Sequence, residues 1–166
     1  MNLPLAFESI RDIPYEIPLT PDAPDRCCSG KAKLLLSLFD DVGYEARVRM
    51  CEFRWSDVSL PASVSEIPHD DLCSHVFVEV RIDGDWKVVD PTWDRGLSSA
   101  FPTVTWDGLS STRVAVPAMN FLSAEESQKR FDAEMSEEVI IADLEKNGDF
   151  YRALNAWLAE VRNKNP

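Results

Sequence analysis

Apolar residues recur along this chain in helical and in alternating rhythms, and each rhythm predicts an element. Over 29–42, Ala32, Leu34, Leu35, Leu36, Leu38, Phe39 and Val42 cover most of a helical circumference. That coverage predicts a helix buried on nearly every side, with Gly43 placed to end it as a C-cap. Residues 44–55 alternate, with Val48, Met50, Phe53 and Trp55 apolar, and predict a strand. Two further strand-like runs, 75–82 and 85–90, flank Asp83-Gly84, a dipeptide suited to a two-residue hairpin turn with positive φ. Toward the C-terminus two helices are predicted. One follows Ser123, whose Glu126 completes a capping box, and one starts at Asp149 and carries Phe150, Leu154, Trp157, Leu158 and Val161 on one face.

Turn residues punctuate the rest. Pro4, Pro14, Pro18, Pro21 and Pro24 make 1–25 read as an extended arm with turns, because proline cannot sustain a long helix. Residues 56–74 read as a polar loop. Residues 95–119 carry Gly96, Pro102, Gly108 and Pro117 and read as loops with an edge strand drawn from 103–106 and 113–116. No internal repeat is present: the Trp93-Asp94 and Trp106-Asp107 pairs lack a propeller's period. The expected class is α+β, with a buried helix packed on an antiparallel sheet and helices at the C-terminus.

The hairpin has a chemical consequence. If Asp83 and Gly84 form the loop, Ile82 faces Asp85, Phe77 faces Asp90 and His75 faces Thr92. His75 and Asp90 then become diagonal neighbours on one face, about 7–8 Å apart at the backbone, within reach of a planar side chain. A loop of three residues would move Asp90 to the other face. Val76, Val78, Val80 and Ile82 occupy the opposite face and are enough to bury it, so folding does not require a polar pair at His75 and Asp90.

Length and charge narrow the classes. The chain has 166 residues, 45% hydrophobic and 28% charged. A domain of that size buries roughly 68–70% of its unfolded surface and needs no metal or disulfide to fold. A formal net charge of −12 repels phosphate backbones and anionic lipid, which argues against a nucleic-acid or membrane partner. The first residues lack a basic region and an apolar run, so a secretory signal is not expected and a cytoplasmic location is. In that compartment the four cysteines are expected as free thiols.

Cys28 opens the buried helix, where unsatisfied N–H groups favour a thiolate and can stabilise an oxyanion. A thiol there, an imidazole on a strand and a carboxylate on the next are the parts of a Cys-His-Asp nucleophilic site. Cys27 is chemically a rival, whereas Cys51 and Cys73 sit in or beside strand-like runs and read as packing residues. A zinc site is poorly served, since Cys27 and Cys28 are vicinal and no C-x-x-C pair exists among Cys51, Cys73, His69 and His75.

Ala32, Gly43 and Arg47 follow Cys28 by four, fifteen and nineteen residues, and His75-Val76-Phe77-Val78-Glu79-Val80 is followed by Gly84, Trp86 and Asp90-Pro91-Thr92. In these residues and spacings 10–92 resembles the transglutaminase-like superfamily; counting from Cys27 breaks the first three matches. One departure stands at Arg26, where that family usually has a glycine at the approach to the nucleophile. The resemblance implies a papain-like core in a single domain over 1–166, with the core at about 10–116 and helices at about 123–163. It implies a Cys28 nucleophile, a His75 base and acid, and an Asp90 that orients His75, acting on a peptide or small amide through a thioester. No cofactor and no metal is implied. Trp55 and Trp93 are candidates to flank the cleft, with core packing as their alternative role. Two other readings stay open: a non-catalytic binding module on the same fold, and an acyltransferase of arylamine type using the same triad.

Overall fold

The computed structural model describes residues 2–164, so Met1, Asn165 and Pro166, at the ends of the expected domain range, lie outside the described residues. Among the described residues the chain is an α+β fold of five helices and one three-stranded antiparallel sheet. The helices are α1 (Leu3–Arg11), α2 (Cys28–Asp41), α3 (Ala62–Ser65), α4 (Ala124–Glu134) and α5 (Glu137–Lys164). The strands β1 (Ala46–Arg54), β2 (Leu72–Ile82) and β3 (Asp85–Val89) lie in sequence order, which makes β2 central.

The helix forms over the predicted span but is buried on one face only, with Leu34 45% exposed and Leu36 and Leu38 half-buried. Ala32, Leu35 and Phe39 are fully buried, and the helix ends in a Schellman arrangement. Tyr44 N–H donates to the Phe39 carbonyl at 2.8 Å and Gly43 N–H to that of Asp40 at 3.0 Å. Gly43 takes φ +80°, the left-handed conformation that glycine adopts without a Cβ penalty. At the other end a Cβ on Gly30 would collide with the Asp25 carbonyl oxygen, so glycine lets the incoming arm pass against the helix start.

The hairpin turns on Asp83 and Gly84, both at positive φ, with Ile82 opposite Asp85 and Val78 opposite Val89, the expected register. Val76, Val78, Val80 and Ile82 then pack with Val48, Met50 and Val89 against Phe7, Ala32, Leu35, Phe39, Trp106 and Phe131. A second apolar cluster joins Tyr15, Phe53, Trp55, Trp93, Leu97 and Phe101 to Phe150, Tyr151, Leu154 and Leu158 of α5.

Three expectations are corrected. Residues 3–11 are helical, not extended: Pro4 falls in the first turn, where its missing N–H breaks no bond, and the Asn2 side chain accepts from Leu5 N–H. The edge strand at 103–106 and 113–116 does not form. Instead the outer edge of β3 is met by Ser111 and Thr112, whose hydroxyls accept from the N–H groups of Val88 and Asp90 at 3.0 Å, and β1 is met at one bridge between Glu52 and Met119. Backbone and side-chain bonds from loops distant in sequence thus cover these edges in place of a ladder. Finally, α5 begins at Glu137 and not at Asp149, because Asn147 and Gly148 interrupt the sequence signal without interrupting the helix. Asn147 is held inside by accepting from Asp70 N–H and donating to Asp143.

Candidate active site

The hairpin register and the turn after β3 bring His75 and Asp90 together. Asp90 Oδ2 accepts from His75 Nε2 at 2.8 Å, with the two side chains 2% and 0% exposed. Strand pairing stops at Val89, so Thr92 does not face His75 across a ladder as expected. It folds back onto Asp90, donating to Oδ1 through its N–H at 3.1 Å and its hydroxyl at 2.6 Å. Ala115 N–H adds a fourth donor, to Oδ2 at 2.8 Å. Burial alone would raise the Asp90 carboxyl, but the charge of His75 and these hydrogen bonds hold it below the ordinary carboxylate value. Asp90 is thus an ionised acceptor that fixes Nε2 of His75 as a donor and leaves Nδ1 as the ring nitrogen free to exchange a proton.

Cys28 is the first residue of α2, so its backbone N–H has no acceptor within the helix. Its thiol lies at the Cys27 thiol and the Val76 N–H. The bond to Cys27 and burial raise the thiol well above its ordinary value, and the Val76 N–H opposes them only in part. The direction runs against the thiolate-favouring effect expected of a helix start, because desolvation and a second thiol outweigh the N–H groups. Cys27 stands at the N-cap position without a side-chain capping bond, its thiol donating to Asp25 at 3.2 Å and lying 3.2 Å from the Ser29 hydroxyl. Burial pushes both Cys51 and Cys73 up to about 12, in keeping with packing roles.

Cys28 and His75 open on one cavity of about 540 Å³. They share its wall without a hydrogen bond between them. Trp55 and Trp93 line it as well, and both are core residues at the same time, 4% and 3% exposed. Trp93 stacks on Phe101 at 4.0 Å and donates to the Ala115 carbonyl, while Trp55 packs edge-on against Phe53 and Phe150. Arg26 is not part of this wall. It reaches Glu16 at 3.7 Å and lines a smaller neighbouring cavity of about 270 Å³.

Sequence patterns did not mark the rest of the cavity. Its far side is α5, through Leu144, Asn147, Tyr151 and Asp143, and its roof is the arm from Tyr15 to Ala23. Arg162 of α5 ties these parts together, donating to the Tyr15 carbonyl at 2.7 Å and to Asp94 at 2.7 Å. No short motif encodes such contacts, since the partners are far apart in the chain.

Lys31 was also not marked. It is fully buried one turn beyond Cys28 and donates to the carbonyls of Arg11 at 2.7 Å, Thr92 at 2.8 Å and Pro91 at 3.4 Å. It thereby ties the start of α2 to the segment carrying Asp90. Burial lowers its ammonium from 10.5 to about 8, with the charge of Asp94 opposing. Because the unfolded chain binds this proton more tightly, the penalty is fully present below pH 8 and is relieved as pH rises to 10.5. Urea unfolding of wild type against Lys31→Met should therefore show the wild type gaining on the order of 3 kcal/mol over that window. A difference that stays flat from pH 7.5 to 10.5 would mean that Lys31 titrates normally.

No family model, curated protein or solved structure matches the chain. Among the described residues no group of three or more His, Cys, Asp and Glu is placed to hold a metal ion, and no helix is long and apolar enough to cross a membrane.

Proposed function

We propose that the chain is a cysteine-nucleophile enzyme of transglutaminase-like, papain-like type, acting on an amide or peptide bond through a thioester. The observation that carries this reading is His75, held by the fully buried Asp90 at 2.8 Å, on the wall of the same cavity as the helix-start thiol Cys28. The element order supports it too: nucleophile helix, strand, His strand, and a strand that ends one residue before Asp90.

Catalysis begins with Cys28 protonated. His75 takes the thiol proton as sulfur attacks the carbonyl carbon, and Asp90 stabilises the imidazolium that forms. The backbone N–H of Cys28 faces the developing oxyanion. His75 then returns the proton to the leaving amine, and water or an amine acceptor resolves the thioester. The cavity wall carries Asp25, Asp70, Glu134 and Asp143 against Lys33 and Arg130. Like charge therefore disfavours an anionic substrate, and a neutral or amine-bearing peptide or small amide fits best.

A second reading, a non-catalytic binding module on the same fold, is favoured by the raised Cys28 thiol and the missing thiol–imidazole hydrogen bond. Iodoacetamide labelling resolved by site separates the two. In the enzyme, His75 drives Cys28 labelling at neutral pH, so His75→Ala should slow it roughly tenfold or more and move its profile to more alkaline pH. Slow labelling of Cys28 in both proteins, with identical profiles, would leave the binding module as the reading.

A further inference from the structure

Tyr15 is an aromatic residue of the proline-rich arm that no sequence pattern singles out, and it is 5% exposed on the wall of the cavity that holds Cys28 and His75. Its backbone is clamped at both polar atoms: the N–H donates to Asp94 at 2.8 Å and the carbonyl accepts from Arg162 at 2.7 Å. Its ring lies 4.7 Å from that of Trp93. Yet its hydroxyl has no hydrogen-bond partner among the described residues, and it is not among the sealed unsatisfied atoms, of which Arg49 Nε is the one found. The oxygen therefore opens on the cavity. No protein group competes for this hydroxyl, which leaves it able to donate to a group that enters the cavity.

We infer that the Tyr15 hydroxyl is the second donor to the oxyanion formed when Cys28 attacks a carbonyl, the Cys28 backbone N–H being the first. The inference rests on the nucleophile reading proposed above. In the step it assists, the Cys28 sulfur forms a bond to the carbonyl carbon, the C=O π pair moves to oxygen, and the thiol proton passes to His75. Tyr15 donates a hydrogen bond to the new O⁻ without losing its own proton. On collapse the oxygen pair re-forms C=O, the bond to the leaving group breaks, and His75 returns the proton to it. Burial, with Cys27 and Cys28 close by, raises the phenol well above its ordinary value and keeps it a donor at every working pH. Held in place beforehand, the hydroxyl needs no reorganisation as charge develops, which is what makes such donors effective.

The test compares Tyr15→Phe, which keeps the ring and its packing, with wild type in two reactions of the same thiol. Acetylation of Cys28 by p-nitrophenyl acetate passes through an oxyanion; alkylation by iodoacetamide does not. Loss of one oxyanion donor costs about 10²–10³ in rate in enzymes of this kind of chemistry, so acetylation should fall roughly 10²-fold while alkylation stays within about twofold. Acetylation at the wild-type rate would overturn the assignment. So would a parallel fall in both reactions, which would place Tyr15 on the thiol or on the fold and not on the oxyanion. If wild-type Cys28 is acetylated no faster than His75→Ala, the nucleophile reading fails, and the role of Tyr15 fails with it.

Discussion

Asp90→Ala should lower the unfolding free energy by about 3–5 kcal/mol, as well as remove activity. From the sequence one expects a carboxylate that serves only the imidazole, so that its loss would leave folding untouched. The structure makes it a hub: His75 Nε2, the Thr92 N–H and hydroxyl, and the Ala115 N–H all donate to it, and its side chain is fully buried. Truncation orphans these buried donors together, at about 1–3 kcal/mol for each one left unsatisfied, with partial relaxation reducing the sum. Typical domains are stable by only about 5–15 kcal/mol, so such a loss would remove a large share of the total. Asp90→Asn preserves acceptance at one oxygen and should lose less. Its amide, however, faces His75 or Thr92 as a second donor, so activity should still collapse through the wrong imidazole tautomer. The stabilisation is present above the ordinary carboxylate value near 3.9 and is lost as pH falls through the lower folded value. Urea titrations of the three proteins at pH 7 decide the matter: a loss under about 1 kcal/mol in Asp90→Ala would mean that water replaces the carboxylate.

Cys28→Ala should do the reverse, removing acyl transfer while sparing the fold. The thiol is half-buried and makes only weak contacts, with Cys27 and the Val76 N–H, so its loss should cost no more than about 1 kcal/mol. Acetylation by p-nitrophenyl acetate at this site should vanish, a loss on the order of 10⁴-fold or more in catalysed turnover. Cys27→Ala is the informative partner. Cys27 donates to Asp25 and its loss relieves the bond that raises the Cys28 thiol, so activity should persist and the labelling profile of Cys28 should move to lower pH. Full activity in Cys28→Ala with loss in Cys27→Ala would transfer the nucleophile by one residue and break the spacing on which the resemblance stands.

Much of the site was legible because it depends on local geometry. Asp83-Gly84 dictates a two-residue turn, the turn dictates the register, and the register sets His75 and Asp90 on one face; each step involves residues close in sequence. Ser123 and Glu126 close a capping box for the same reason, within one turn of helix. Misreadings occurred where a local signal competes with distant partners. Pro4 suggested a break but begins a helix, and Asp149, read as a helix start, lies inside one, where Asp70 supplies the bond that keeps the preceding Asn147 buried.

What the sequence by itself determined is the periodic part of the protein: the buried helix behind Cys28, the strand pair and the pairing of imidazole with carboxylate. These follow from side-chain alternation and from backbone angles, which a few neighbouring residues set. What only the tertiary structure decided is the cavity, with α5 as one wall and the arm as another, the free hydroxyl of Tyr15, the buried ammonium of Lys31 and the desolvation that raises the Cys28 thiol. Each is a matter of desolvation and of contacts such as Arg162 to Tyr15, between residues far apart in the chain. Desolvation depends on what the fold places around a group, and no spacing within the sequence encodes it.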